Sequence, residues 1–151
     1  MKAKLLTVFF GLVTALACAE PKKELQALYG SNGSLRDASG RTAISASSTG
    51  TSTMYRDSSG RLTATASGFS PDRLTYRDSS GRICGTASQT GTSTTFRDGS
   101  GRIAGTASEI SDRTTYRDAS GRIVGSASRM GDSITFRDGS GRITGTGTAR
   151  K

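Results

Sequence analysis

Thr94 to Ser108 reads T-T-F-R-D-G-S-G-R-I-A-G-T-A-S, and the six residues at its centre decide the fold. The pattern R-D-x-S-G-R recurs six times, beginning at Arg36, Arg56, Arg77, Arg97, Arg117 and Arg137, in steps of 20, 21, 20, 20 and 20 residues. A fixed period means that one small supersecondary unit is built repeatedly and stacked on itself. Thr94, Thr95 and Phe96 have high strand propensity. Asp98-Gly99-Ser100-Gly101 reads as a turn: the carboxylate accepts a backbone N–H two residues on, and the last glycine supplies a positive φ. Arg102 to Ala107 returns as a second strand, and Ser108 to about Asp112 leads into the next copy. Each period is a β-hairpin plus a connection. The connections vary, and Gly68 to Asp72 carries the one inserted residue.

Alternation predicts the faces. With the hairpin closed around Asp98 to Gly101, Phe96 lies opposite Ile103 and shares a side with Thr94, Gly105 and Ala107. Thr95, Arg97, Arg102, Ala104 and Thr106 show on the other side. Each copy then gives one aromatic (Tyr55, Tyr76, Phe96, Tyr116, Phe136) and one aliphatic (Leu62, Ile83, Ile103, Ile123, Ile143) to a common apolar stripe. The first copy has Leu35 and Thr42 in these places, as terminal repeats often deviate. A bulged turn shifts the pairing by one and sets Asp98 against Arg102; the apolar match favours the unbulged register.

Burying one aromatic and one isoleucine contributes about 3–6 kcal/mol per copy. Ordering a backbone of that length costs on the order of 20–40 kcal/mol. One copy cannot fold alone, and stacked copies share strand hydrogen bonds and join their apolar stripes. The expected architecture is all-β: six hairpins in an antiparallel meander sheet, with Arg150 and Lys151 as a charged guard on the last edge. The alternative is a parallel β-solenoid with one copy per coil. It brings six arginines into a column at the ~4.8 Å strand spacing, whereas the meander keeps copies about twice as far apart.

The chain divides into residues 1–19, a signal peptide; 20–33, a linker or N-terminal cap; and 34–151, the six-repeat domain. Lys2 and Lys4 precede the apolar run from Leu5 to Ala17, which is too short to span a bilayer, and Ala17-Cys18-Ala19 offers small residues for cleavage. The expectation is export from a bacterial cell to the periplasm, cell surface or medium. Cys18 is a candidate lipidation site, which would make the chain an outer-membrane lipoprotein; cleavage after Ala19 would free it. Lys22 to Leu28 suits a short helix with Leu25 and Leu28 on one side.

Setting aside Lys2 and Lys4 leaves 19 basic residues against 12 acidic, a net charge of +7 spread evenly along the repeats. The chain has no histidine, which removes Ser-His and Cys-His catalysis and the commonest metal ligand. Its carboxylates fall one to a turn, so neither a paired acid/base site nor a calcium loop is expected. Short G-x-G pieces such as Gly139-Ser140-Gly141 lack the lysine and context of a phosphate loop. Cys84 occupies a slot held elsewhere by Ala104, Val124 and Thr144, which is the place of an incidental thiol. No enzyme activity and no cofactor are expected.

The D-x-x-G-R-[IL] core, preceded by an aromatic and recurring about every 20 residues, resembles the YD (Rhs) repeat over Leu35 to Ile143. That family places Tyr directly before Asp, whereas Arg intervenes here, as in Tyr55-Arg56-Asp57. The resemblance implies a hairpin repeat. Arrays of that family form β-rich shells, and six copies are expected to be too few to close one.

The expected function is that of an exported envelope repeat protein acting as a structural or interaction module, its partner an envelope component or another protein. The alternative is a polyanion binder, for lipopolysaccharide for instance, using arginine columns formed by Arg56, Arg61, Arg77, Arg82, Arg97, Arg102, Arg117, Arg122, Arg137 and Arg142. A remote third reading is ice binding by threonine ranks, from pairs such as Thr51/Thr53, Thr92/Thr94 and Thr144/Thr146.

Overall fold

The structure, a computed structural model, describes residues 30–70 and 72–150. The signal segment, Cys18 and the helix expected after Lys22 lie outside the described residues. Twelve strands follow in order: β1 Asn32–Asp37, β2 Thr42–Thr49, β3 Ser52–Asp57, β4 Leu62–Ser70, β5 Arg73–Asp78, β6 Ile83–Thr90, β7 Ser93–Asp98, β8 Ile103–Ile110, β9 Arg113–Asp118, β10 Ile123–Met130, β11 Ser133–Asp138 and β12 Ile143–Arg150. Residues 32 and 33 thus already belong to the first strand. Each strand pairs antiparallel with its neighbours in sequence, which is the expected meander and excludes the solenoid.

The meander is not an open row. β12 pairs with β1, from Asn32↔Arg150 to Asp37↔Gly145, and the sheet closes into a barrel. Arg150 therefore guards no edge, because closure removes edges altogether. Six copies thus close a barrel where an open meander sheet was expected.

The register explains the curvature. Phe96 pairs with Gly105 and Arg97 with Ile103, so Ala104 is an extra residue facing no partner of its own. The same skip falls on Ala43, Thr63, Cys84, Val124 and Thr144 in the other hairpins. A bulge bends its strand and increases the local twist, and six at one level curl the sheet onto itself. Where the bulge frees a carbonyl, Thr63 answers it: its hydroxyl donates to the Tyr55 oxygen at 3.1 Å.

This register corrects the predicted apolar stripe. The aromatics do point inward: Tyr55, Tyr76, Phe96, Tyr116 and Phe136 are all buried. Ile83, Ile103, Ile123 and Ile143 do not join them, and stand 45–49% exposed on the outer wall beside the first arginine of each motif. Leu62 shares their register position, opposite Arg56. The inner partners of the rings are small. Phe96 lies between Ala87 and Gly105, Tyr76 between Ala66 and Gly85, Tyr116 between Ala107 and Gly125. Large side chains from odd strands thus alternate with Gly or Ala from even strands around the barrel, as a closed interior requires. At Gly85 a Cβ would stand 2.7 Å from the Arg97 carbonyl oxygen, so the small residue there is a steric necessity.

The first and last copies deviate because they meet at the seam. Leu35 takes the aromatic slot, between Ile44 on one side and Gly147 on the other. Ile44 is larger than its Ala or Gly counterparts in later copies, and Gly147 is smaller than the Ala found at 46, 66, 87, 107 and 127. A Cβ at Gly147 would collide with the Leu35 side chain. The volume is redistributed among these three residues to fit the closure.

Candidate functional site: an arginine rim

All six R-D-x-S-G-R turns join an odd strand to the following even strand, so the antiparallel order places all of them at one end of the barrel. In the fourth copy the Gly101 N–H donates to the Asp98 carbonyl at 3.0 Å, and the Asp98 N–H to the Arg102 carbonyl at 2.9 Å. Gly101 has φ 85°. This is a type I turn closed by a left-handed glycine, a three-residue hairpin loop. It sets Asp98 against Arg102, which is the register disfavoured in the sequence reading.

Side chains finish the turn. Asp98 Oδ1 accepts from the Ser100 N–H at 2.8 Å, the Ser100 hydroxyl at 2.7 Å and the Arg102 N–H at 3.0 Å. The Ser100 hydroxyl, together with the backbone N–H groups of Arg102 and Ser100 and the Arg102 charge, outweighs desolvation and holds the Asp98 carboxyl below the usual carboxylate range. Every copy repeats this: Asp37, Asp57, Asp78, Asp118 and Asp138 are lowered by the same partners. The first arginine clamps the loop from outside, Arg97 Nη1 donating to the Gly101 carbonyl at 2.9 Å. Arg36, Arg56, Arg77, Arg117 and Arg137 do likewise. The first arginine therefore serves the turn glycine. The variable third position of the motif holds only Ala, Ser or Gly, and at Gly139 even a Cβ would approach the Ile123 carbonyl oxygen to 2.8 Å, so space there is tight.

The second arginine differs. Arg41, Arg61, Arg82, Arg102, Arg122 and Arg142 contribute backbone N–H and carbonyl to the turn, and any residue but proline supplies the former. Their side chains are exposed; the turn's hydrogen bonds use only their backbone, and their charge adds the smallest of the effects that lower the turn aspartate. The six copies act as an internal alignment, and five of the six motif positions are accounted for by hydrogen bonding, backbone conformation or space. The sixth keeps an exposed guanidinium in every copy whose part in the turn is this weak attraction alone.

Closure converts an even charge distribution along the chain into an uneven one in space. Twelve arginines and six aspartates gather at the motif rim, a net charge of +6. Among the described residues, the turns of the opposite rim carry Asp72, Glu109, Asp112 and Asp132 against Arg73, Arg113 and Arg129, which nearly balance. Adjacent motif turns are two strand spacings apart, about 10 Å. The arginines singled out from sequence are thus brought together as a crown, not as columns along a sheet face, and Arg36 and Arg41 of the first copy belong to it. The first copy carries the full motif, with the atypical Leu35 and Thr42 flanking it.

Other candidates are dispersed. Thr53 and Thr94 are buried inside the barrel, which splits the pairs Thr51/Thr53 and Thr92/Thr94. Cys84 is a buried free thiol at a bulge. Among the described residues no three metal-ligating side chains come together, and no helix is long and apolar enough to cross a membrane. The chain enters β1 at the opposite rim, where Gly30 N–H donates to Thr53 Oγ1 at 3.1 Å and the Ser48 hydroxyl to the Ser31 carbonyl at 3.0 Å.

No family model and no curated protein matches the chain. Among solved structures it is similar to an X-ray structure of a protein from Arabidopsis thaliana, with a TM-score of 0.57 and 11% identity over 82% of this chain and 83% of that one. At that identity the likeness is one of fold.

Proposed function

We propose that this chain is an exported, non-enzymatic interaction module whose working surface is the arginine rim and whose partner is polyanionic. One observation carries the reading: six exposed second arginines, one per hairpin, kept in every copy although the turn's hydrogen bonds use only their backbone. Arginine offers a planar fork of donors that matches phosphate, sulfate and carboxylate. A ring of such groups about 10 Å apart favours an extended anion over a small one. The barrel acts as a rigid holder, with each turn pinned by its own aspartate, serine and first arginine.

Binding to such a partner falls steeply with salt, because each contact releases counterions. The test is retention on immobilised heparin. Changing Arg82, Arg102 and Arg122 together to Gln lowers the salt needed for elution, with an unchanged far-ultraviolet circular dichroism spectrum showing that the barrel is intact. Unchanged retention of this triple variant refutes the reading.

A further inference from the structure

The rim carries more than charge. Directly after the second arginine stand Leu62, Ile83, Ile103, Ile123 and Ile143, and the four isoleucines are about half exposed on the outer wall. They form an apolar belt one residue below the guanidinium crown in five of the six copies. Elsewhere the outer wall is Thr- and Ser-rich: Thr75 pairs with Thr86, Thr95 with Thr106, Thr135 with Thr146. Two other large exposed apolar residues, Ile110 and Met130, sit at the opposite rim in only two copies. A barrel that spans a bilayer needs an outward apolar band about 25 Å tall, which a Thr wall does not supply. Apolar surroundings suit the rim alone.

The geometry points to end-on docking of the barrel against an anionic lipid layer: the second arginines meet headgroup phosphates, and the isoleucine belt lies at the boundary between headgroups and acyl chains. The proposal rests on the reading of the rim as a polyanion site and names its partner. A closed ring engages all six arginines together only with a surface; a linear polymer meets a few at a time. Cationic side chains bordering apolar ones are the composition of an interfacial anchor. The chain enters the barrel at the other end, so the described residues leave the crown uncovered.

The experiment is cosedimentation of the full chain with vesicles of about one-third phosphatidylglycerol in phosphatidylcholine, against pure phosphatidylcholine. The neutral vesicles read any contribution of the apolar head of the chain, and the ratio of the two reads the rim. Each arginine contributes roughly fivefold near an anionic surface, so the Arg82/Arg102/Arg122→Gln variant loses about a hundredfold of the preference. Changing Ile83, Ile103 and Ile123 together to Thr lowers vesicle binding severalfold and leaves heparin retention intact. Vesicle binding untouched by the Thr variant overturns the lipid proposal while the polyanion reading stands. An Arg variant that alters neither vesicle nor heparin binding overturns both. A second measurement uses the unmodified chain: anionic vesicles slow amide exchange at the six R-D-x-S-G-R turns, and slowing at the opposite rim instead refutes the orientation.

Discussion

Replacing Ile103 by Thr and, separately, Phe96 by Ala separates the bulged register from the unbulged one. In the unbulged hairpin both residues line the core, and both substitutions are expensive. In the barrel Phe96 is 2% exposed and Ile103 is 49% exposed. Truncating a buried phenylalanine to alanine costs about 3–5 kcal/mol. Full burial of an isoleucine is worth about 1.5–3 kcal/mol, so a half-exposed one holds roughly half of that. Threonine keeps the branched β-carbon that a strand favours and some contact with the Arg97 stem, which leaves a loss of about 0.5–1 kcal/mol. Urea denaturation followed by far-ultraviolet circular dichroism measures both, with unchanged slopes showing that the unfolded reference is the same. An Ile103→Thr loss equal to that of Phe96→Ala refutes the outward placement of the isoleucines, and the bulge with it.

The six turn aspartates are lowered in the folded state. Their contribution is therefore present above the ordinary carboxylate value of 3.8 and is lost as pH falls through the lowered folded values. Melting temperature should be flat near neutrality and decline as pH falls from that value through the lowered folded values, as protonation also strips the rim of its negative charge; replacing several of these residues with Asn should flatten the fall, and a profile without an acid limb contradicts the turn geometry. Ser111 has φ 54° where Gly50, Gly91 and Gly131 hold φ 59° in the equivalent turns. Ser111→Gly should stabilise by about 0.5–1 kcal/mol, the left-handed penalty less the extra entropy of glycine, read as a rise in melting temperature. Deleting the last hairpin from Ser133 onward removes the partner of β1 and exposes two long edges. Size-exclusion chromatography should then show association or aggregation, and a monomeric, well-folded remainder contradicts the closed ring.

Much of the hairpin was legible because turn chemistry is local. Asp98 accepting from the Ser100 N–H and the positive φ of Gly101 follow from the four turn residues alone. The inward aromatics followed from alternation. The register was not legible, since it depends on one extra residue in the returning strand, which turns Ile103 outward while Gly105 and Ala107 keep the inward side expected of them. A signal was nonetheless present: Gly85, Gly105, Gly125 and Gly145 recur two places after the isoleucine, a position where a strand has no use for glycine unless a ring lies across it. Closure left a fainter trace. Leu35, Ile44 and Gly147 depart from the repeat consensus in compensating volumes, yet they lie at opposite ends of the chain and only the seam relates them.

The polarity of the molecule follows from closure and the position of the motif within it. An arginine-rich hexapeptide repeated about every 20 residues gives a chain with no basic block. An antiparallel meander sends every such turn to the same edge, and rolling that edge into a ring brings the first copy beside the sixth. Twelve guanidiniums at one rim repel one another, and the fold offsets this with one carboxylate per turn and with clamps that hold half of the guanidiniums on glycine carbonyls. A neutral residue at the second arginine would keep every hydrogen bond of the turn, give up the smallest of the attractions on the turn aspartate, and lower the repulsion among the guanidiniums. Keeping a cation there in all six copies works against the stability of the rim, and a partner that binds the rim supplies the compensating term. On this argument, neutralising those six positions raises the melting temperature of the free barrel at low salt while abolishing its affinity for anions.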